Sequence, residues 1–135
     1  MHQRRFRRQT RWSFLALIAV AMASLGALAD ENRVRILMAL NGRNELCVCQ
    51  LIDMLQLAPS TVSKHLFILR NARLILGRKE GRWMYYRLNT EDGPQVVKEA
   101  IDWVVRSVVD APVIHEDRER LSDFLAASPG LKCGA

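Results

Sequence analysis

Two cysteines one residue apart, Cys47 and Cys49, are the residues of this sequence best suited to do chemistry. They lie in NELCVCQLIDML, residues 44–55, where the apolar spacing predicts a helix capped by Asn44. A helix N-terminus lowers the pKa of a thiol and favours the thiolate, which is the form that binds metals and reacts. Soft ions prefer such sulfur ligands. The pair is therefore a candidate soft-ion site, against the plainer interpretation of two small apolar core residues.

The spacing of the two cysteines limits how they can act. Side chains at i and i+2 of a regular helix point about 200° apart. Cys47 and Cys49 therefore cannot both hold one ion unless the first helical turn bends or unwinds. The chain has three cysteines, and an odd number with tight spacing is not a secreted disulfide framework. This pattern favours free thiols in a reducing compartment.

The elements around this pair read as a helix-turn-helix. Asp30 is a good N-cap for the helix ENRVRILMAL, which Asn41-Gly42 ends. Pro59 suits the first position of a later helix, PSTVSKHLFILR. A tight turn joins that helix to the cysteine-containing helix before it, as in a helix-turn-helix. The apolar positions predicted to face the core of these helices are Val34, Leu37, Met38, Val48, Leu51, Ile52, Leu55, Val62, Leu66 and Leu69.

A hairpin and a last helix complete the predicted fold. RLILGRKEGRWMYYRLN predicts two strands around the basic turn Lys79-Glu80-Gly81-Arg82, which would form a wing. From Gln95 a helix carries a long apolar stripe, which one winged domain offers little core to cover and a second copy of the chain would bury. The stripe comprises Val97, Ile101, Val104, Val105 and Val108. The predicted fold class is mainly α with a small β-hairpin, a winged helix-turn-helix.

Charge is distributed unevenly and predicts a face for a polyanion. The net charge is +6, and residues 60–88 hold seven Lys/Arg against one acid, whereas residues 91–123 hold nine acids against four bases. Small polar and basic residues near the start of a recognition helix suit the major groove, and bases nearby suit phosphates. His65 also flanks the buried stripe, so a packed histidine is an equal alternative. The predicted contacts to double-stranded DNA are Ser60, Thr61, Ser63, Lys64, His65, Arg70, Arg78, Lys79 and Arg82.

The N-terminal segment allows three interpretations. RRFRRQTRWSFLALIAVAMASLGALAD has a basic head and an uncharged apolar run, like a secretory signal or a short membrane anchor. It also fits a helix buried in a dimer interface, or an overlong start with Met22 as the true initiator. We divide the chain into an N-terminal extension or dimerisation helix (1–24), the winged domain with its C-terminal dimerisation helix (25–110) and a C-terminal tail (111–135).

Four segments together resemble the ArsR/SmtB family of metal-responsive repressors: ALADENRVRIL, ELCVCQL, STVSKHLFILR and GRKEGRWMYYRL. The resemblance covers about residues 25–110. It implies a homodimeric winged helix-turn-helix repressor that leaves operator DNA when a metal or metalloid binds. ELCVC resembles the motif that binds As(III) or Sb(III) in the arsenic-responsive branch.

The resemblance is incomplete at the third ligand. The prototype arsenic sensors carry a third cysteine where this chain has Ile52. Cys133, from either protomer, is then the candidate third ligand. The zinc-type sites of the family have Asp102 and His115 in register here, but Val104 and Arg118 occupy the other two positions. Neither replacement can bind zinc, so we expect no zinc site there.

The sequence thus predicts a cytoplasmic homodimeric repressor of an arsenic-resistance operon, without an organic cofactor or small-molecule substrate. One alternative is a redox-responsive repressor of the same fold, using the same cysteines. Another is a membrane-tethered or exported binding module built on residues 12–29. An enzyme is not expected, because no nucleophile–base or acid pair stands out and the histidines are scattered.

Overall fold

Helices dominate the structure, a computed structural model that describes the backbone of residues 2–127 and the side chains of residues 15–127. Its one sheet is antiparallel, with strand order β1-β3-β2. The prediction of a mainly helical winged fold is confirmed, with a short third strand added to the hairpin. The elements in chain order are α1 (His2–Leu28), α2 (Glu31–Leu40), β1 (Leu46–Cys47), α3 (Val48–Leu55), α4 (Pro59–Asn71), β2 (Ile75–Glu80), β3 (Trp83–Leu88), α5 (Gln95–Val108) and α6 (Pro112–Ala127).

Local signals set most helix boundaries. The Asp30 side chain accepts a hydrogen bond from the Arg33 backbone N–H at 3.1 Å, which confirms it as the N-cap of α2. Helix α2 ends at Leu40 with Asn41 as its C-cap, and Gly42 takes a φ of +76° in the turn beyond it. Helix α4 has its proline at the first position, as predicted.

The predicted start of α3 is wrong. Asn44 lies in a bend, and the N-cap is Cys47, with φ −76° and ψ 150°. The chain first pairs with the hairpin through β1, which delays the helix by three residues. The Gln50 side chain then accepts a hydrogen bond from the Cys47 backbone N–H at 2.8 Å, satisfying a donor at the helix start.

The helix-turn-helix forms around the main core. Helix α4 buries the three predicted residues Val62, Leu66 and Leu69. Helix α3 buries Leu51 and Leu55 against them. Gln56, with φ 55°, ends α3 in the left-handed conformation and begins the turn to α4. Burial of this shared apolar surface fixes α4 on α3.

The last two helices differ from expectation. The α5 residues Val97, Ile101 and Val104 are at most 3% exposed within this one chain, whereas Val105 and Val108 of the same stripe remain partly exposed. Helix α1 runs unbroken through the boundary at residue 24 and packs against α5. Residues 112–127, part of the segment treated as a tail, form α6, which packs on α2 and α3. The sequence of α6 is rich in acids and has few apolar residues, of which Ile114 and Leu121 are buried, so its helical pattern is weak.

Within the part of the chain that the structure describes, no single helix has the length and hydropathy to cross a membrane. A bent pair, Leu15–Leu28 with Glu31–Leu40, meets those limits only jointly, across a bend of 99°.

Candidate DNA interface and thiol site

The N-terminal half of α4 presents a polar surface to solvent. Ser60, Ser63 and Lys64 are exposed and Thr61 is partly exposed. They lie opposite the buried stripe of α4, because the helix repeat of 3.6 residues separates the two faces. Arg70 is exposed near the end of the same helix. Ser60, Ser63 and Lys64 therefore share the face opposite the buried stripe, and Thr61 and Arg70 lie at its two edges.

His65 faces inward and is packed against other side chains, which is the alternative to a DNA contact given above. Its side chain is only 12% exposed. Its Nδ1 lies 3.4 Å from Arg33 Nη1 and 3.8 Å from Asp30 Oδ1. This position links the start of α2 to α4, so His65 helps to fix the recognition helix on its support.

The three predicted wing cations differ in their surroundings. Lys79 and Arg82 are exposed near the hairpin tip. Arg78 forms ion pairs with Glu45 and Glu80, and its guanidinium lies 4.6 Å from the centre of the Tyr85 ring. The bond from Arg78 lowers the pKa of Glu45. Arg78 is thus already engaged with carboxylates, and a phosphate must compete for it.

Glu45 is a residue that the sequence analysis missed. Both of its carboxylate oxygens accept hydrogen bonds from Arg78, one from Nε at 2.7 Å. The partners are 33 positions apart in the chain, so no local spacing pattern indicates the pair. Glu45 stands two residues before Cys47, and this ion pair therefore joins the wing to the cysteine segment.

The two cysteines lie at the junction of strand and helix. Cys47 is 1% exposed and pairs with Tyr85 of β3, whereas Cys49 is the second residue of α3 and partly exposed. The expected 200° separation of the two side chains is therefore wrong, because Cys47 precedes the helix in extended backbone. Both sulfurs are disulfide-bonded in the structure, in contrast to the free thiols expected.

Neither the third candidate ligand nor the zinc-type positions, where no site was expected, add a described ligand to this pair. Cys133 lies outside the described residues. Asp102 is exposed on α5, His115 is exposed on α6, and Val104 is packed in a small apolar cluster. Among the described residues, no three His, Cys, Asp or Glu side chains come close enough to share a metal ion.

The opposite end of α3 is held by α6. Arg120 Nη1 donates a hydrogen bond to the Met54 carbonyl oxygen at 2.9 Å, in the last turn of α3. Nearby, Arg35 forms a two-pronged ion pair with Asp117, at 2.7 and 2.8 Å. The side chains of Arg35 and Asp117 are only 14% and 6% exposed. The hydrogen bond to Asp117 raises the pKa of Arg35, so the guanidinium stays charged at any ordinary pH.

The sequence of this chain is similar to those of known bacterial regulators. The model of the arsR family of bacterial regulatory proteins matches residues 30–75, from α2 to the start of the wing. The arsenic resistance transcriptional regulator ArsR1 of Pseudomonas putida is 39% identical over 84 residues, which are 62% of either chain. The arsenical resistance operon repressor of Bacillus subtilis is 38% identical over 80 residues, 59% of this chain and 76% of that one. The chain therefore spans under two thirds of the Pseudomonas relative.

Solved structures share the fold. Reduced HlyU from Vibrio cholerae has a TM-score of 0.57 and 34% identity, covering 70% of this chain and 95% of HlyU. A homodimeric winged helix-turn-helix DNA-binding domain from Mycobacterium bovis has a TM-score of 0.57 and 28% identity, covering 75% of this chain and 88% of that domain. These likenesses agree with the arrangement of α3, α4 and the wing.

Proposed function

We propose, since this chain belongs to the ArsR family of bacterial regulatory proteins, that it is a cytoplasmic homodimeric repressor of arsenic-resistance genes. In this proposal the chain binds operator DNA through α4 and the wing. Trivalent arsenic or antimony binds at Cys47 and Cys49 and releases it. The matched family is one of bacterial regulatory proteins, and the two relatives are named a transcriptional regulator and an operon repressor, which supports the prediction that the chain is no enzyme.

One observation carries this proposal: the two cysteines lie where wing strand β1 passes into helix α3. In the reduced protein a soft metalloid would draw two thiolates together. Cys47 shares its backbone with the β1–β3 pairing, and Cys49 shares its backbone with the first turn of α3. Any rearrangement needed to bind both sulfurs therefore acts on the wing and on the support of α4 at once.

This placement gives a physical route for release. Two recognition helices of a dimer must match the spacing of two half-sites, about one turn of DNA apart. A shift of α3 changes the position of α4, because the two helices share a buried core. Release further requires that the ion bind the DNA-free protein more tightly than the DNA-bound protein. Coupling free energies between two sites are typically about 1–3 kcal/mol, which is about 5–150-fold in affinity.

A homodimer is supported by an apolar surface on α1. Leu15, Ile18, Met22 and Leu25 are at least 40% exposed and recur at helical spacing. The homodimeric Mycobacterium bovis domain is a structural neighbour of this chain. An α1 surface of this kind favours the dimerisation-helix interpretation of the N-terminal segment.

The test is fluorescence anisotropy with a labelled fragment of the gene's own upstream DNA. Reduced protein is titrated onto the DNA, and arsenite, antimonite, cadmium and hydrogen peroxide are then added separately. We expect arsenite or antimonite to raise the Kd about tenfold or more. If the complex forms but neither ion changes its Kd, the metalloid assignment is wrong.

The third ligand can be tested in the same assay. If Cys133 completes the site, Cys133→Ser raises the arsenite concentration needed for half-release. Ile52→Cys supplies a thiol at the position used by the prototype sensors, and should lower that concentration. An unchanged arsenite response in Cys133→Ser would leave Cys47 and Cys49 as a two-sulfur site.

A redox-responsive repressor is the second candidate, because both cysteines are disulfide-bonded in the structure. A structural neighbour, HlyU, is also known in a reduced form. Peroxide would take two electrons and two protons from two thiols, forming one disulfide and two waters. Release of DNA by peroxide, but not by arsenite, would favour this candidate.

A further inference from the structure

Phe67 is a large apolar side chain on the most polar surface of α4. It is 64% exposed. Among side chains 29–127, the other exposed large hydrophobic residues are Ile68, at 38%, and Trp103, at 60%. Phe67 was not among the predicted DNA contacts, because it interrupts a pattern read for polar and basic residues.

The helix repeat places Phe67 in line with the proposed DNA contacts. At 100° a residue, Phe67 lies about 20° from Ser60 and about 60° from Lys64 around the axis of α4. The buried residues Val62, Leu66 and Leu69 lie about 180–240° from Ser60. Along the axis, Phe67 is about 10 Å from Ser60, within the roughly 12 Å width of the major groove.

The surroundings of Phe67 favour DNA over a protein partner. Lys64 and Arg70 are exposed on either side of it along the helix, so the patch has an apolar centre and a cationic rim. A second copy packed against this patch would bring the same cations together, which is unfavourable. DNA provides phosphates for the cations and, in the major groove, one apolar group: the 5-methyl of thymine.

We propose that Phe67 is a specificity-determining residue that contacts the 5-methyl group of a thymine in the operator. This rests on the proposed DNA binding and adds a base preference to it. Ser60, Ser63 and Lys64 position the helix by polar contacts, and Phe67 selects thymine over cytosine about one helical turn beyond Lys64. Burial of one methyl group against the ring favours thymine about fourfold.

The experiment replaces each thymine of the footprinted operator, one at a time, with deoxyuridine, which lacks only the methyl. Binding of wild type, Phe67→Ala, Phe67→Leu and the matched neighbour Ile68→Ala is measured by anisotropy, after melting curves show that each variant is folded. We expect one or two substitutions to weaken wild type and Ile68→Ala about fourfold. Phe67→Ala should bind thymine DNA five- to tenfold more weakly and be insensitive to those substitutions, while Phe67→Leu retains part of the preference.

If wild type binds the operator, two results would overturn the assignment. Wild type that tolerates deoxyuridine at every position makes no methyl contact. Deoxyuridine that weakens wild type and Phe67→Ala equally assigns the methyl contact to another side chain. If wild type binds no upstream fragment at all, the proposed DNA binding itself fails and the Phe67 contact fails with it.

Discussion

The two ends of α3 are held by different kinds of interaction: strand pairing beside an exposed ion pair at one end, and a hydrogen bond from α6 beside a buried ion pair at the other. At its N-terminal end, Cys47 pairs with the wing, and the nearby ion pair between Glu45 and Arg78 is partly open to water, with side chains 29% and 50% exposed. At its C-terminal end, Arg120 bonds the backbone of the last turn, beside the buried Arg35–Asp117 pair. The first junction is wet and adjustable. At the second, Arg120 is itself exposed, but the Arg35–Asp117 pair, the dry junction, is buried and fixes α6 on α2.

This difference indicates how a local change would move the recognition helix. Breaking a buried pair strands a charge and is costly, whereas an exposed pair rearranges at little cost. A ligand at the cysteines would therefore move the N-terminal end of α3 against a C-terminal end that α6 holds in place. The expected motion is a pivot of α3 and α4 rather than unfolding of the domain.

The largest expected effect comes from breaking the dry junction. Asp117→Ala leaves the Arg35 guanidinium buried without its partner, and we expect a loss of about 3–5 kcal/mol in the free energy of unfolding. Urea unfolding at fixed protein concentration measures it, with exposed Asp123→Ala on the same helix as the control. A loss below about 1 kcal/mol would mean that this junction does not fix α6.

A smaller loss is expected at the end of α3. Arg120→Leu removes the hydrogen bond to the Met54 carbonyl, which is worth about 1 kcal/mol. It should also reduce the arsenite effect on DNA binding, because α3 then lacks its fixed end. Arg118→Leu is the control, since this cation makes no ion pair with the described residues. Equal stability of the two variants would contradict the role of Arg120.

The wet junction should affect DNA binding more than stability. Glu45→Gln releases Arg78 from its main partner, and we expect unfolding to change by no more than about 0.5 kcal/mol. The freed guanidinium can neutralise one more phosphate, so the slope of log K against log salt should steepen by about one. Anisotropy at several salt concentrations tests this. An unchanged slope would place Arg78 away from the DNA backbone.

The smallest effect concerns pH. Arg78 lowers the pKa of Glu45, so the pair stabilises the fold above the ordinary glutamate pKa. That contribution is lost as the pH falls through the lower, folded-state pKa. The small difference in stability between wild type and Glu45→Gln should therefore stay constant from neutral pH to about pH 5 and vanish in more acid solution. A difference that disappears above pH 5 would contradict the lowered pKa.

The sequence predicts what local pattern determines. Asp30, Pro59 and the stripe of Val62, Leu66 and Leu69 act through spacing within a helix, and they lie where predicted. The start of α3 does not, because the pairing of Cys47 with Tyr85 across 38 positions displaces the cap from Asn44. Long-range pairing of this kind leaves no spacing signal in the chain.

The same limit applies to the candidate site. The cysteines and the polar residues of α4 were identified from residue type and order. The Glu45–Arg78 pair and the Arg120 bond to α3 depend on how distant elements pack, so no local sequence pattern predicts them. His65 was ambiguous in sequence because it borders the buried stripe, and only its contacts with Arg33 and Asp30 place it inward.

The most direct test of the central claim compares thiol variants in the DNA assay. Reduced Cys47→Ser and Cys49→Ser proteins should bind the operator within about twofold of wild type but keep it when arsenite is added. Val48→Ala, which alters the same turn and retains both thiols, should still release it. Release by arsenite from either serine variant, at wild-type concentrations, would contradict the claim that these two sulfurs form the switch.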